Sequence, residues 1–295
     1  MEAQSQFNEL LFNFVNGNIW AIIPEKLEAF IFSFSAKIDR SNPGKVEETF
    51  PSELGLFTGY GYKTIGNVAV FSVEGIIQKN FSIEGHLWEG MVSTLMLQKG
   101  IQDALENPEI NSIVLNIDSP GGTVGGTKEL ADYIYDAKSQ KPFYSFANGL
   151  MASAAYYIGS AANEIYAFDT SYIGSIGVYR PHVNAQKFYE SMGLEITLIH
   201  AGKEKVVGNP YSKLSDEDKK IIQTEVNDQY TLFVDSVARN RGVSSDEVLT
   251  NMADGKIFIA QKAAESGLID GIGTLEEVIA YAQKENSVIN AIKTI

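Results

Sequence analysis

From Val68 onward, β-branched runs of strand length alternate with helical stretches, and that alternation constrains the fold more than any other feature. Val68-Ala69-Val70-Phe71-Ser72-Val73 and Ser112-Ile113-Val114-Leu115-Asn116-Ile117 read as strands, with a helix over 92–106 between them. The rhythm continues with a helix at 126–137, a strand at 143–147, a helix from about Ala152, short strands near 165–168 and 173–178, and a strand at 196–200. Strands joined through helices run parallel and lie covered by those helices, so the expected fold is α/β with a largely parallel sheet. Past His200 the texture becomes helical. Ser215 followed by Asp216-Glu217-Asp218 reads as an N-cap and an acidic first turn opening a helix to about Asn240, and shorter helices follow at 244–252, 259–266 and 275–283.

Residues 1–64 differ in texture, with apolar clusters at 10–14 and 30–34 and then the turn-rich Ser41-Asn42-Pro43-Gly44. They read as an N-terminal arm, residues 65–285 as the main domain and 286–295 as a tail. The 37 acidic against 23 basic side chains give a formal charge of −14, which argues against nucleic acid as a partner. The absence of cysteine removes disulfides, thiolate nucleophiles, zinc ribbons and iron–sulfur clusters. His86, His182 and His200 lack the spacing of a zinc protease pair, so neither metal nor cofactor is expected. The most apolar stretch, 27–34, still carries Glu28 and Ser33; the expectation is no signal peptide, no membrane anchor and a cytoplasmic location.

Three clusters of small or apolar residues follow strands and are candidate chemistry. Asp118-Ser119-Pro120-Gly121-Gly122 lets the backbone turn tightly and leaves N–H groups uncovered for a negative oxygen, or is simply a tight turn. Gly149-Leu150-Met151-Ala152-Ser153-Ala154-Ala155 offers a serine with room for a carbonyl, or a packing serine. A serine nucleophile needs a base, and lysine is the known substitute for histidine. Lys203 and Lys205, in the loop after the strand at 196–200, are the candidates, and an amine acting as a base requires partly apolar surroundings to lower its pKa. No G-x-S-x-G elbow, Ser-x-x-Lys pair or phosphate loop is present, which excludes α/β-hydrolase, β-lactamase and P-loop readings.

In this order the segments resemble the S49 serine peptidases, the family of signal peptide peptidase A and of phage prohead proteases. The resemblance spans about Val68 to Ala282. It rests on Asp118-Ser119-Pro120-Gly121-Gly122, Met151-Ala152-Ser153-Ala154-Ala155-Tyr156-Tyr157, Ile173-Gly174-Ser175-Ile176-Gly177-Val178, and Ala201-Gly202-Lys203-Glu204-Lys205 with Gly208-Asn209-Pro210. It implies a Clp-protease/crotonase-like fold of stacked β-β-α units with C-terminal helices. It also implies Ser153 as nucleophile, Lys205 as general base, Ser175 as the serine that orients the lysine amine, and the N–H groups of Gly122 and Ala154 as oxyanion hole. Gly121 and Ala152 then line the substrate site, suited to small or apolar side chains. Asn18-Ile19-Trp20-Ala21-Ile22-Ile23-Pro24-Glu25 is similar to the opening of the phage and prophage members, which points to that branch.

The resulting expectation is a serine endopeptidase that trims phage scaffold, portal or other head proteins during capsid maturation, in the host cytosol or within a prohead. Its partners would be protein or peptide substrates and further copies of itself in a ring or dome. Rival readings are a peptidase clearing signal peptides and fragments, a structural capsid component with a vestigial site, and a crotonase-like acyl-CoA enzyme.

Overall fold

The computed structural model describes residues 15–37, 61–80 and 91–293, and the chain divides into two compact units. Among these residues the larger unit comprises 21–23, 61–80, 91–177 and 232–293, and the smaller comprises 15–20, 24–37 and 178–231. The calls on His86 and on residues 1–14, 38–60, 81–90 and 294–295 lie outside the described residues.

The expected α/β architecture is present. In chain order the first elements are β1 (Trp20–Ile22), α1 (Pro24–Lys37), β2 (Lys63–Ile65), β3 (Val68–Glu74), β4 (Ile76–Gln78), β5 (Met91–Ser93) and α2 (Thr94–Glu106). Next come β6 (Ser112–Ser119), β7 (Gly121–Thr123), α3 (Thr127–Ala137), β8 (Phe143–Ala152), α4 (Ala154–Gly159), β9 (Glu164–Ala167) and β10 (Tyr172–Gly174). The rest are α5 (Gln186–Ser191), α6 (Asp216–Arg241), α7 (Ser245–Glu247) with a π turn over Val248–Met252, β11 (Ile257–Ile259), α8 (Ala260–Glu265), β12 (Gly271–Ile272) and α9 (Leu275–Lys293).

In the larger unit the main sheet runs β11-β10-β8-β6-β3-β2, with β9 pairing β8 and β12 pairing β9. Its interior pairs β3·β6, β6·β8, β8·β9 and β8·β10 are parallel, while β2 and β11 close the edges antiparallel. A second sheet runs β1-β7-β4-β5. Each repeat therefore spends one long strand on the main sheet, one short strand on the second and then a helix: β3-β4 leads through β5 into α2, and β6-β7 into α3. The buried face of α2 presents Leu97, Ile101 and Ala104 at the i, i+4, i+7 spacing that makes a helical stripe. On the other side of the main sheet, Val278, Ile279 and Ala282 of α9 pack on Val68, Val114, Tyr144 and Phe146.

Position 149 shows how the sheet aims its strand ends. The β6·β8 register shifts between Ile117↔Ala147 and Ser119↔Met151, a bulge that inserts extra residues into β8. Gly149 takes φ 105° there, and a side chain would press on the Asp118 carboxylate at 3.2 Å. Past the bulge β8 leaves β9 and pairs with β10 through Leu150↔Tyr172, Met151↔Ile173 and Ala152↔Gly174.

In the smaller unit, the Asn16 amide bonds both backbone groups of Val183, at 3.3 and 2.8 Å. Pro24 stands at the first helical position of α1, where its missing N–H costs nothing. Ser215 caps α6 as the sequence predicts, exchanging bonds with Asp218 at 3.0 and 3.1 Å. The strand expected at 196–200 is absent. Residues 194–200 have no regular structure and lie exposed, Ile199 at 97%. A strand needs a neighbour for its N–H and C=O groups, and among the described residues none pairs with this segment. The strand expected at 173–178 likewise stops at Gly174, and α5 was not foreseen.

Candidate active site

The larger unit holds six of the seven residues singled out from the sequence, Lys205 being the exception. Ser153 follows Ala152, the last residue of β8, and its N–H donates to the Gly174 carbonyl at 2.8 Å. It adopts φ 57°, ψ −118°, a conformation that side chains avoid and that costs about 1–3 kcal/mol when surrounding structure imposes it. The imposing structure is visible on both sides: β10 holds its N–H, and α4 begins at the next residue with Tyr157 N–H bonding the Ser153 carbonyl at 2.9 Å. The kink turns the hydroxyl off the sheet, where its nearest partner is the Gly177 carbonyl at a long 3.4 Å. A bond of that length leaves the hydroxyl proton weakly committed.

Ser175 stands one residue beyond Gly174 and, through the parallel Ala152↔Gly174 register, beside Ser153. Its φ of 54° repeats the kink of Ser153, and its N–H is held by the Lys256 carbonyl at 2.6 Å. Two adjacent parallel strands are thus each followed by a serine at positive φ.

The glycine turn arrives from β6. The Ser119 hydroxyl donates to the Gly75 carbonyl at 2.6 Å and accepts the Gly121 N–H at 3.2 Å, which closes the turn. That bond engages the Gly121 N–H. Both glycines are sterically required. A Cβ on Gly121, at φ 103°, would lie 3.0 Å from the Ser153 Cβ and 3.0 Å from the Ala154 nitrogen, and one on Gly122 would lie 1.8 Å from the Ile77 carbonyl oxygen. Ala154 opens α4, and the first N–H groups of a helix have no acceptor within it. Glycine turn, serine Cβ and helix-start N–H therefore converge on one point.

Lys205 belongs to the smaller unit. Residues 191–205 are exposed there, and the Lys205 N–H closes a turn onto the Gly202 carbonyl at 3.2 Å. The partly apolar surroundings expected for a neutral amine are not what the chain provides at this side chain. The Lys203 amine pairs with Glu217 at 2.7 Å, and that hydrogen bond raises its pKa, away from what a neutral base requires.

The tyrosines that follow Ser153 and the two described histidines of the smaller unit all have partners of their own. Burial pushes the Tyr157 phenol up to about 12; the ring stacks on Phe233 at 4.3 Å and its hydroxyl meets Ser236 at 2.9 Å. Tyr156, also raised by burial, donates to the Leu268 carbonyl at 2.8 Å. His182 and His200 face the backbone carbonyls of Asn209 and Gly202 at 2.9 and 3.0 Å. Among the described residues no group of acids and histidines is arranged to hold a metal ion, and no helix is long and apolar enough to cross a membrane.

Comparison with known proteins gives a family for the chain. The family model of peptidase family S49 matches residues 135–289. The chain is 32% identical over 210 residues to capsid assembly protease C of Escherichia phage lambda, covering 71% of this chain and 47% of that one. It is 31% identical over 219 residues to the head-tail preconnector protein GP5 of Enterobacteria phage P21, covering 74% and 43%. It is 29% identical over 207 residues to the chloroplastic serine protease SPPA of Arabidopsis thaliana, covering 70% and 30%. The chain spans about half the length, or less, of these curated relatives.

Proposed function

Because the chain belongs to peptidase family S49, whose members share the Clp-protease/crotonase-like fold, we propose that it is a serine endopeptidase with Ser153 as nucleophile and Lys205 as general base. The observation that carries this reading is the imposed φ of 57° at Ser153, at the point where Gly121 and the Ala154 N–H converge. A packing serine has no need of a conformation that costs stability; a nucleophile that must stand off its scaffold does.

In the proposed reaction the Lys205 amine accepts the Ser153 hydroxyl proton as the oxygen adds to the scissile carbonyl. The oxyanion is received by the Gly122 and Ala154 N–H groups. Collapse expels the amine, which takes the proton from the lysine, and leaves an acyl ester on Ser153. The same amine then removes a proton from water as the water oxygen adds to the ester, and on collapse it returns that proton to the departing Ser153 oxygen, releasing the carboxylic acid and restoring the serine hydroxyl. Ser175, beside Ser153, orients the lysine amine. Since Lys205 is exposed in the single chain, its desolvation is assigned to assembly with further copies of the chain. Gly121, Ala152 and Ala154 leave room for small side chains next to the reacting carbonyl.

The phage relatives carry the proposal to substrates: scaffold, portal or other head proteins, cut in the host cytosol or inside a prohead, without metal or cofactor. Intact-mass spectrometry after treatment with a serine-directed fluorophosphonate tests the dyad. One adduct on the wild type, lost in Ser153→Ala and strongly slowed in Lys205→Ala, is expected. Labelling that survives Ser153→Ala overturns the assignment. Co-expression with a phage head protein, compared with addition of free signal peptides, separates the capsid role from peptide clearance.

A further inference from the structure

Ser153 is 1% exposed, which is a contradiction for a residue that must meet a polypeptide. The second sheet shows what stands beside it. β7 has β4 along one edge and β1 along the other, and the Ile23 N–H extends that pairing by donating to the Pro120 carbonyl at 3.1 Å. The Cβ position on Gly121 that lies 3.0 Å from both the Ser153 Cβ and the Ala154 nitrogen lies 2.2 Å from the Ala21 carbonyl oxygen. A backbone carbonyl from the N-terminal segment therefore stands against the same glycine as the nucleophile and the anion-binding N–H. Ala21 and Ile22 are buried at 0% and 3%.

Extended peptides bind proteins by adding a strand to an open sheet edge, with main-chain hydrogen bonds supplying the affinity. Beside Ser153 that edge is β7, and residues of this chain already fill it. The filling is thin. β1 is three residues long, and a strand that short contributes few main-chain bonds to its neighbour. At its other end Trp20 exchanges both backbone bonds with Tyr179, at 2.8 and 2.9 Å, and its indole N–H donates to the Val15 carbonyl at 3.2 Å, so the strand has an anchor independent of β7.

We propose that the outer edge of β7 is the binding site for the extended main chain of the substrate, and that Ala21–Ile23 occupy it as an internal stand-in which substrate must displace. The inference rests on Ser153 being the nucleophile. It gives residues at the start of the chain a function, as a plug that keeps the hydrolase closed until a competing strand or an assembly partner draws it away. It also indicates what the edge accepts, a small residue at the carbonyl nearest Gly121 followed by branched aliphatic residues.

The test measures the rate of Ser153 modification by a fluorophosphonate in the full chain and in Ile23→Pro, which deletes the N–H bonded to Pro120. At least a tenfold faster reaction is expected in the variant, reversed by a synthetic peptide spanning residues 17–25. A second measurement guards against a misfolded variant: hydrogen exchange on wild-type protein before and after reaction with a peptidyl fluorophosphonate. Residues 21–23 should lose protection once the peptidyl adduct forms. Adducts at equal rates, with protection at 21–23 retained, overturn the plug while leaving the nucleophile in place. Absence of any adduct in folded wild type and folded variant overturns the nucleophile and the plug together.

Discussion

The turn around Ser153 and the segment carrying Lys205 are held in opposite ways. Ser153 is buried, its N–H and carbonyl are both bonded, Gly121 lies against it and the wholly buried α4 follows it. Residues 191–205 are all exposed; Leu194, Ile196, Leu198 and Ile199 face outward, and the bonds at Lys205 and Val207 close local turns. One half of the proposed dyad is positioned by its own chain to within a rotamer. The other rides on a segment whose apolar side chains lack the cover that would fix them. A nucleophile gains from rigidity, whereas a lysine that works only when desolvated is inactive until something covers it, so the asymmetry suits an enzyme that stays silent as a free chain.

The largest expected effect separates activity from stability in the two regions. Ser153→Ala and Lys205→Ala should each lower the rate of peptide hydrolysis by about 10³-fold or more, the scale of losses when a member of a nucleophile–base unit is removed. Thermal unfolding should tell them apart from structural lesions: Lys205→Ala, at an exposed side chain, should unfold within about 0.5 kcal/mol of wild type. A large stability loss there would break the comparison, since it would mean that the lysine segment is packed after all.

Next in size is the glycine turn. Gly122→Ala forces a methyl group to 1.8 Å from the Ile77 carbonyl oxygen, a backbone atom that cannot swing aside. Strand β7 must then part from β4, and a loss of about 3 kcal/mol or more is expected in denaturant unfolding, together with loss of fluorophosphonate labelling. Gly193 and Gly202, at φ 77° and 95° in the exposed segment, have open space or a 3.8 Å contact. Alanine there should cost about 1–2 kcal/mol at most, from backbone strain alone.

These differences also explain what the sequence made legible. The main strands were readable because β3, β6 and β8 are largely buried and carry mainly apolar and β-branched residues. Local chemistry marked the helices α2, α3 and α6, through apolar period and caps. The strand expected at 196–200 looked like the others because the alternation of Leu194, Ile196 and Leu198 carries propensity but names no partner, and pairing decides. β4 and β7 are three residues each, too short to show a periodicity of their own, and meet at Ile77↔Gly122. At the site, residue types announced the glycine turn and the serine, and Ser175 followed from the family resemblance. The φ values of Ser153 and Ser175 and the neighbouring Ala21 carbonyl arise from long-range pairing that no local pattern carries.

A smaller effect sharpens the claim that Ser153 is strained by its surroundings. Alanine at 153 keeps a Cβ and the strain, whereas glycine populates φ 57° freely. Ser153→Gly should therefore match or exceed Ser153→Ala in stability by about 1 kcal/mol, against the usual cost of a glycine to the unfolded chain. Chemical denaturation of the two variants decides; a Gly variant weaker than the Ala variant by that amount would show an unstrained turn.

The smallest expected effect concerns the neighbouring lysine, and its smallness is informative. Lys203 lies two residues from Lys205 on the same exposed segment, but its amine is bonded to Glu217 and its pKa is raised by that bond. An exposed pair of this kind contributes about 0–1 kcal/mol. Lys203→Ala should leave hydrolysis within about twofold and stability within about 0.5 kcal/mol, with whatever change exists vanishing at high salt as screening removes the pair. If Lys203→Ala instead abolished hydrolysis while Lys205→Ala spared it, the two lysines would exchange roles. The Glu217 bond would then be a resting latch that the active assembly must open before the amine can accept a proton.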